Sequence, residues 1–305
     1  MSEFKCGYVA IIGQPNVGKS TLLNAFVGQK LAGVSPKPQM TRHRILGIKS
    51  LPVAQILFLD TPGIHKPHRS LNEYMMEVAH MVLSDADVFI FMIEPDPDHI
   101  GRIAHKDQEI FENLQKTGRP IILVINKADR IAKDHLLPLM EACGKAWNPK
   151  VIIPVVATQK NGLDRVEAEI LKYLPENPAY YPDDQASDQN DRFLASEIIR
   201  EKVMDLTLEE VPYSVTIDIE EFKEPKEEDV KKLIRIRASI VCEKDSQKAI
   251  LIGKGGQMIK KIGAESRLEL EKELGQKVYL ELFVRVEKDW TKDPNRLREF
   301  GYVVD

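Results

Sequence analysis

Gly13-Gln14-Pro15-Asn16-Val17-Gly18-Lys19-Ser20 is a G-x-x-x-x-G-K-S run, and its reading decides the fold. In such a loop backbone N–H groups curl around phosphate oxygens at a helix N-terminus, the lysine reaches the terminal phosphates, and the hydroxyl takes Mg²⁺. Gly18 lets the backbone approach the phosphates, Lys19 brings a mobile positive charge, and Ser20 is short enough to hold a metal close to the loop. The flanks agree: the apolar Tyr8 to Ile12 suits a buried strand, and Thr21 to Val27 is patterned as a helix. By itself the loop specifies a nucleoside triphosphate, not which one.

Outward from the loop, Gln55 to Leu59, Asp87 to Ile93, Pro120 to Ile125 and Val151 to Val156 are further apolar runs that alternate with helical patterns as far as Leu174. That alternation predicts an α/β domain with a mostly parallel sheet, helices on both faces and ligand loops at the strands' C-terminal edge. Arg44 to Lys49 is expected to add one antiparallel strand across the Ser50-Leu51-Pro52 turn. Residues 176–190, rich in proline and polar side chains, are read as a linker between a nucleotide-binding domain at 1–175 and a second domain at 191–305. The length of 305 residues suits about two domains.

Composition excludes little. The formal net charge of −4 requires any nucleic-acid contact to come from a local basic face. Cys6, Cys143 and Cys242 are few, far apart and without a C-x-x-C pair, so no disulfide framework or zinc site is indicated and a reducing cytoplasm is expected. The start of the first strand so near Met1 leaves no room for a signal peptide, and no apolar run approaches the ~20 residues that span a bilayer.

Three further motifs complete the nucleotide site, and the second of them makes the triphosphate GTP. Asp60-Thr61-Pro62-Gly63 ends a strand, where a carboxylate serves the Mg²⁺ shell and the Gly63 N–H meets a γ-phosphate. D-x-x-G alone is a weak signal; its place after a phosphate loop gives it weight. Asn126-Lys127-Ala128-Asp129 matches N-K-x-D, and the two oxygens of Asp129 suit the two donors on guanine N1 and N2, which adenine lacks. Val155-Val156-Ala157-Thr158-Gln159 occupies the place of another base-binding loop, with the Ala157 N–H as the expected contact. Within Gly33 to His43, Thr41 is the candidate hydroxyl to join Ser20 and Asp60 on Mg²⁺. Ile64 stands where Ras-type switches place a glutamine to orient water, so Asn16 becomes a candidate holder of a monovalent cation such as K⁺ near the phosphates. His65, His68 and His80 lack metal-site spacing and are expected to be loop or solvated residues.

Past the linker the expected element order is α-β-β-α-α-β, with Gly253-Lys254-Gly255-Gly256 joining two helices. A lone G-x-x-G means little, but in this order it suits a type II K-homology domain that clamps about four nucleotides of single-stranded RNA. Lys254 and Gln257 line the loop, and Lys260, Lys261, Arg235 and Arg237 are expected to add polar and positive groups to its groove. Trp290, Phe300 and the acidic run from Glu224 are expected to be packing residues and a solvated loop.

The motifs at 13–20, 60–65, 126–129 and 252–256, with Arg192 to Lys202, Leu280 to Val286 and Gly301-Tyr302, together resemble the Era family of bacterial ribosome-assembly GTPases over nearly the whole chain. The resemblance implies a GTP-hydrolysing switch; the residues read above as its candidate catalytic groups are Asn16, Lys19, Thr41 and Gly63. It also implies binding of the 3′ end region of 16S ribosomal RNA, a role in small-subunit maturation, and peripheral contact with the inner membrane; a monomer is expected. Met40 and Val156 depart from the family's usual threonine and serine. The sequence also admits another activity class, an RNA-binding module whose nucleotide domain senses GTP with negligible turnover.

Overall fold

The computed structural model describes residues 4–62, 70–99, 101–226 and 232–303. Six strands form the first sheet: β1 (Lys5–Gly13), β2 (Ile45–Leu51), β3 (Ala54–Asp60), β4 (Val88–Ile93), β5 (Ile121–Ile125) and β6 (Val151–Pro154), in the order β2-β3-β1-β4-β5-β6. Only β2 runs antiparallel, paired to β3 from Ile45 opposite Asp60 to Leu51 opposite Ala54. The central strands are buried along their whole length, which is why they are continuous runs of Ile, Val, Leu and Phe instead of alternating patterns.

The connecting helices are α1 (Lys19–Val27), α2 (Ser70–Asp85), α3 (His105–Gln115), α4 (Lys133–Trp147) and α5 (Leu163–Tyr173). One core cluster joins alternate sheet residues such as Ala10, Leu59, Phe91 and Leu123 to Phe111 of α3 and Trp147 of α4. Trp147 stacks on Phe111 at 4.9 Å, and its indole N–H donates to Gln108 Oε1 at 2.6 Å. Complete burial of each such aromatic ring contributes about 1.5–3 kcal/mol. On the sheet's other face Phe26 of α1 stacks on Phe58 of β3 at 4.6 Å. The three cysteines are buried and free.

The chain divides into two compact units. The first holds residues 1–32, 41–65 and 76–188, the second 33–40, 66–75 and 189–305. The proline-rich stretch after Leu174 is pinned to the first sheet. Gln55 Oε1 accepts from the Tyr180 and Tyr181 N–H groups, Asn177 donates to the Cys6 carbonyl, and Ser187 donates to the Leu46 carbonyl.

The second unit is built from α6 (Asp191–Leu206), β7 (Thr216–Lys223), β8 (Leu233–Cys242), α7 (Asp245–Ile252), α8 (Gln257–Leu274), β9 (Lys277–Val286) and α9 (Pro294–Glu299). The α-β-β-α-α-β order is the one the sequence predicts. Its sheet is β7-β8-β9, with β7 antiparallel and β9 parallel to β8. Val211–Ser214 forms a 3-10 turn between α6 and β7; Pro212 near its start has a fixed φ and no N–H to give a ladder, and the strand begins at Thr216. Trp290 is fully buried and donates to the Ser214 carbonyl, a packing role.

Residues 33–40 are held against α6 within this unit. The Val34 N–H donates to Glu201 Oε2 at 2.8 Å, Ser35 Oγ to Asp205 Oδ1 at 2.7 Å, and Lys37 to the Met204 and Thr207 carbonyls. Arg200, buried and paired with Glu197 at 2.7 Å, donates to the Met40 carbonyl. Met40 fills the space over Gly33, where a Cβ would lie 2.0 Å from the Met40 methyl.

Candidate functional site

Parallel pairing brings the ends of β1, β3 and β4 to one edge, with Ile11 opposite Asp60 and Gly13 opposite Met92. There the chain turns through 13–18 into α1. A Cβ on Gly13 would lie 2.4 Å from the Met92 carbonyl oxygen. Gly18 has φ +102°, and a Cβ there would meet Asn126 Nδ2 at 2.3 Å. Asn16, at the exposed crown, also takes a left-handed conformation (φ +64°). Gly18 caps α1 without a side-chain hydrogen bond, so the amides of Lys19, Ser20 and Thr21 open the helix toward the loop, a dipole end that suits an anion.

Lys19 is 7% exposed and donates to the Gly13 carbonyl at 3.2 Å and the Gln14 carbonyl at 3.1 Å. Burial pushes its ammonium pKa down, against the charge of Asp60. Asp60 is completely buried, and burial pushes its carboxyl up, against the Lys19 charge and the hydroxyls of Ser20 and Thr41. Ser20 donates to Asp60 Oδ2 at 2.6 Å, Thr41 donates to the same oxygen at 3.1 Å, and the two hydroxyls are 2.8 Å apart. The three predicted metal ligands, far apart in sequence, therefore converge. Asp60 Oδ1 is buried without a hydrogen-bond partner among the described residues. A hard cation that prefers oxygen ligands fits this set.

Thr61 follows with its hydroxyl on the Ile11 carbonyl at 3.2 Å, and Pro62 continues as irregular chain. Gly63, Ile64, His65 and His68 lie outside the described residues; His80 is exposed on α2. No cluster of three or more His, Cys, Asp or Glu suited to a metal occurs among the described residues.

The base side is organised by Asn126. Its Nδ2 donates to the Val17 carbonyl at 2.7 Å, and its Oδ1 accepts from the Ala157 N–H at 3.1 Å. The amide expected to meet guanine is thus directed at Asn126. Val156, in the usual serine position, is buried and bridges to Asn161. Lys127, left-handed at φ +55°, donates to the Asn16 carbonyl and to Glu94, each at 2.6 Å. Ala128 donates its N–H to the Val155 carbonyl, and Asp129 stands exposed on the following turn.

Two carboxylates here escaped the sequence reading. Glu94 follows β4 and holds both Lys127 and Arg130. Asp107, in the first turn of α3, accepts from Gln14 Nε2 at 2.8 Å. Neither belongs to a motif. Glu94 carried one usable signal, a charged residue directly after a buried parallel strand, where ligand loops gather.

In the second unit the Gly253–Gly256 loop joins α7 to α8 through three positive φ values: Gly253 at +71°, Gly255 at +60° and Gly256 at +77°. At Gly253 a Cβ would lie 2.8 Å from Met258 Cβ; at Gly255 and Gly256 it would meet nothing within 4 Å. Lys254, Gln257, Lys260 and Lys261 are exposed on or just after the loop, with Lys261 near Glu265 at 3.9 Å.

Arg235 and Arg237 do not join them, which corrects the expectation of one shared groove. Along β8, Ile234, Ile236, Ala238 and Ile240 enter the core with Leu251 of α7 and Ile262 of α8. Strand alternation therefore turns Arg235 and Arg237 to the opposite face, where they stand beside Tyr279 and Glu281 of β9. Arg237 is paired with Glu281 at 3.2 Å.

A family model described as a 50S ribosome-binding GTPase matches residues 8–127, and one described as a KH domain matches residues 210–291. GTPase Era of Syntrophus aciditrophicus is 48% identical over 98% of this chain and 95% of its own. A crystal structure of an Aquifex aeolicus Era variant bound to GDP·AlF4⁻ superposes with a TM-score of 0.91 at 44% identity, covering 99% of this chain and 100% of that one. A structure of Era in complex with MgGDPNP and nucleotides 1506–1542 of 16S ribosomal RNA gives the same identity, coverage and TM-score.

Proposed function

This chain belongs to the Era family of GTPases, and from that premise we propose that it is a GTP-hydrolysing switch that binds the 3′ end region of 16S ribosomal RNA and assists maturation of the small ribosomal subunit. The observation that carries the catalytic half is the convergence of Ser20, Thr41 and Asp60 beside the phosphate loop. These three would hold Mg²⁺, and the unpartnered Asp60 Oδ1 supports that assignment. When bound, the metal neutralises charge on the β- and γ-phosphate oxygens.

The remaining steps belong to the chain itself. The loop from Gly13 to Thr21 binds the phosphates through its amides, and Lys19, seated on the Gly13 and Gln14 carbonyls, reaches from there to the terminal phosphates. Asp129 accepts the guanine donors, with Asn126 and Lys127 tying the base loop to Val17 and Asn16. Asn16 is the position from which a monovalent cation would add positive charge. The Gly253–Gly256 loop admits an RNA backbone because its glycines leave no side chain in the way, and Lys254, Lys260 and Lys261 supply local charge on a chain that is acidic overall. Arg235 and Arg237 would serve RNA only on a separate face. Peripheral contact with the inner membrane rests on family membership alone; no helix among the described residues is long and apolar enough to cross a membrane.

Residues 33–40 precede Thr41 and bond to α6 of the RNA-binding unit, which supports coupling between nucleotide state and RNA. The test is GTP affinity and single-turnover hydrolysis with and without a 16S 3′-end oligonucleotide. A change of about fivefold or more in either is expected for a coupling of ~1 kcal/mol. Identical values with RNA bound would defeat the coupling, and failure of the oligonucleotide to bind would defeat the RNA assignment.

A further inference from the structure

Two carboxylates stand behind the outer arc of the phosphate loop. Glu94 acts through Lys127, whose ammonium holds the Asn16 carbonyl. Asp107 acts directly on the Gln14 side chain at 2.8 Å. Gln14 is also the residue whose carbonyl accepts from Lys19, so Asp107 grips the part of the loop on which the lysine rests. The groups facing Asp107 are the Gln14 amide from the loop, the Glu94 carboxylate from the end of β4 and the Cys143 thiol from α4. None of these is a cation. A buried carboxylate in such company costs stability that a neutral residue of the same shape would not, a pattern typical of functional positions.

We propose that Asp107 is a positioning residue for GTP hydrolysis: its ionised carboxylate fixes the Gln14 side chain and, through it, the stretch of phosphate loop that supports Lys19. The assignment rests on the nucleotide site described above. A hydrogen bond to an ionised acceptor is about twice as strong as a neutral one, and small displacements of groups around a transferring phosphoryl are costly in rate. Burial pushes the Asp107 carboxyl up to about 6, against the Gln14 hydrogen bond and with the help of the Glu94 charge. The carboxylate is therefore present at pH 7.5 and largely protonated at pH 5.5. Because this value is raised above that of the unfolded chain, the folded state takes up the proton more readily. Asp107 thus lowers stability as the pH rises from about 4 to about 6, and that cost persists at neutral pH.

The experiment uses the full chain and the variants Asp107→Asn, Gln14→Ala and the double substitution. Single-turnover GTP hydrolysis is followed from pH 5.5 to 7.5, with affinity for a fluorescent GDP and melting temperature measured alongside. At pH 7.5 each single substitution is expected to slow hydrolysis about three- to tenfold, and the double variant to be no slower than either, since the residues act as one unit. For Asp107→Asn, which touches no part of the nucleotide, GDP affinity is expected to stay within about twofold while hydrolysis slows. The wild-type rate should rise through a midpoint near pH 6 relative to a flat Asp107→Asn profile, and Asp107→Asn should melt at a higher temperature than wild type at pH 7.5. The proposal is overturned if Asp107→Asn keeps the wild-type rate and pH slope, if the single effects multiply, or if slower hydrolysis comes only with a lower melting temperature, the mark of a structural role. Failure of the wild type to bind GDP would overturn the nucleotide site itself, and this inference with it.

Discussion

The two glycine loops of this chain lead into helices in the same way and are otherwise opposite in construction. Gly18 before α1 and Gly256 before α8 are both left-handed N-caps without a side-chain hydrogen bond, so both helices present open amides to an anion. Around Gly18 the space is full: Asn126 stands where a Cβ would go, and Lys19, Thr41 and Asp60 are each less than 10% exposed. Around Gly255 and Gly256 there is open space, and the charges nearby are exposed lysines. The first loop preorganises buried charge for chemistry, where low dielectric amplifies each interaction. The second leaves room for a polymer backbone and relies on screened surface charge, which is cheap to maintain and tolerant of sequence.

The largest test of that contrast is Lys19→Ala. It removes a buried cation beside a developing phosphate charge and leaves the Asp60 carboxylate uncompensated, so single-turnover hydrolysis should fall by about 10²-fold or more. RNA binding by the nucleotide-free protein should be unaffected. A loss of less than tenfold would break the comparison at its strongest point.

Paired alanine substitutions give an intermediate test. Gly18→Ala meets both an adverse φ and the Asn126 amide, and should destabilise the protein by about 3 kcal/mol or more while breaking the Asn126–Val17 bond. Gly255→Ala meets only the adverse φ, at about 1 kcal/mol. Chemical denaturation of both variants measures the difference; equal costs would mean that crowding does not distinguish the loops.

The smallest effect is expected at Lys254→Ala. An exposed phosphate contact is worth little alone, so RNA affinity should weaken about two- to fivefold at physiological salt. The slope of log affinity against log salt should fall by about 0.7, one phosphate contact on a single strand. An unchanged slope would remove Lys254 from the interface.

Much of the architecture was legible because each buried strand is a short apolar run bounded by turns, and because G-K-S, D-x-x-G and N-K-x-D mark the ends of three of them. The G-x-x-G assignment was legible only through the order of elements around it. Sidedness was the weaker point. The alternation Ile234, Ile236, Ala238 already implied that Arg235 and Arg237 face away from the helices, but a glycine loop draws nearby cations into one imagined groove. Glu94 and Asp107 were illegible as site residues: their importance lies in Lys127 and Gln14, reached across 33 and 93 positions of sequence.

The sequence by itself determined which ligand chemistry the chain carries, since a phosphate cradle needs glycine, lysine and a short hydroxyl at fixed spacing and guanine needs a carboxylate with two oxygens. Tertiary structure alone decided how those groups are charged and held. Burial pushes Lys19 down and Asp60 and Asp107 up in pKa, and burial is a property of what packs around a side chain, which no local spacing records.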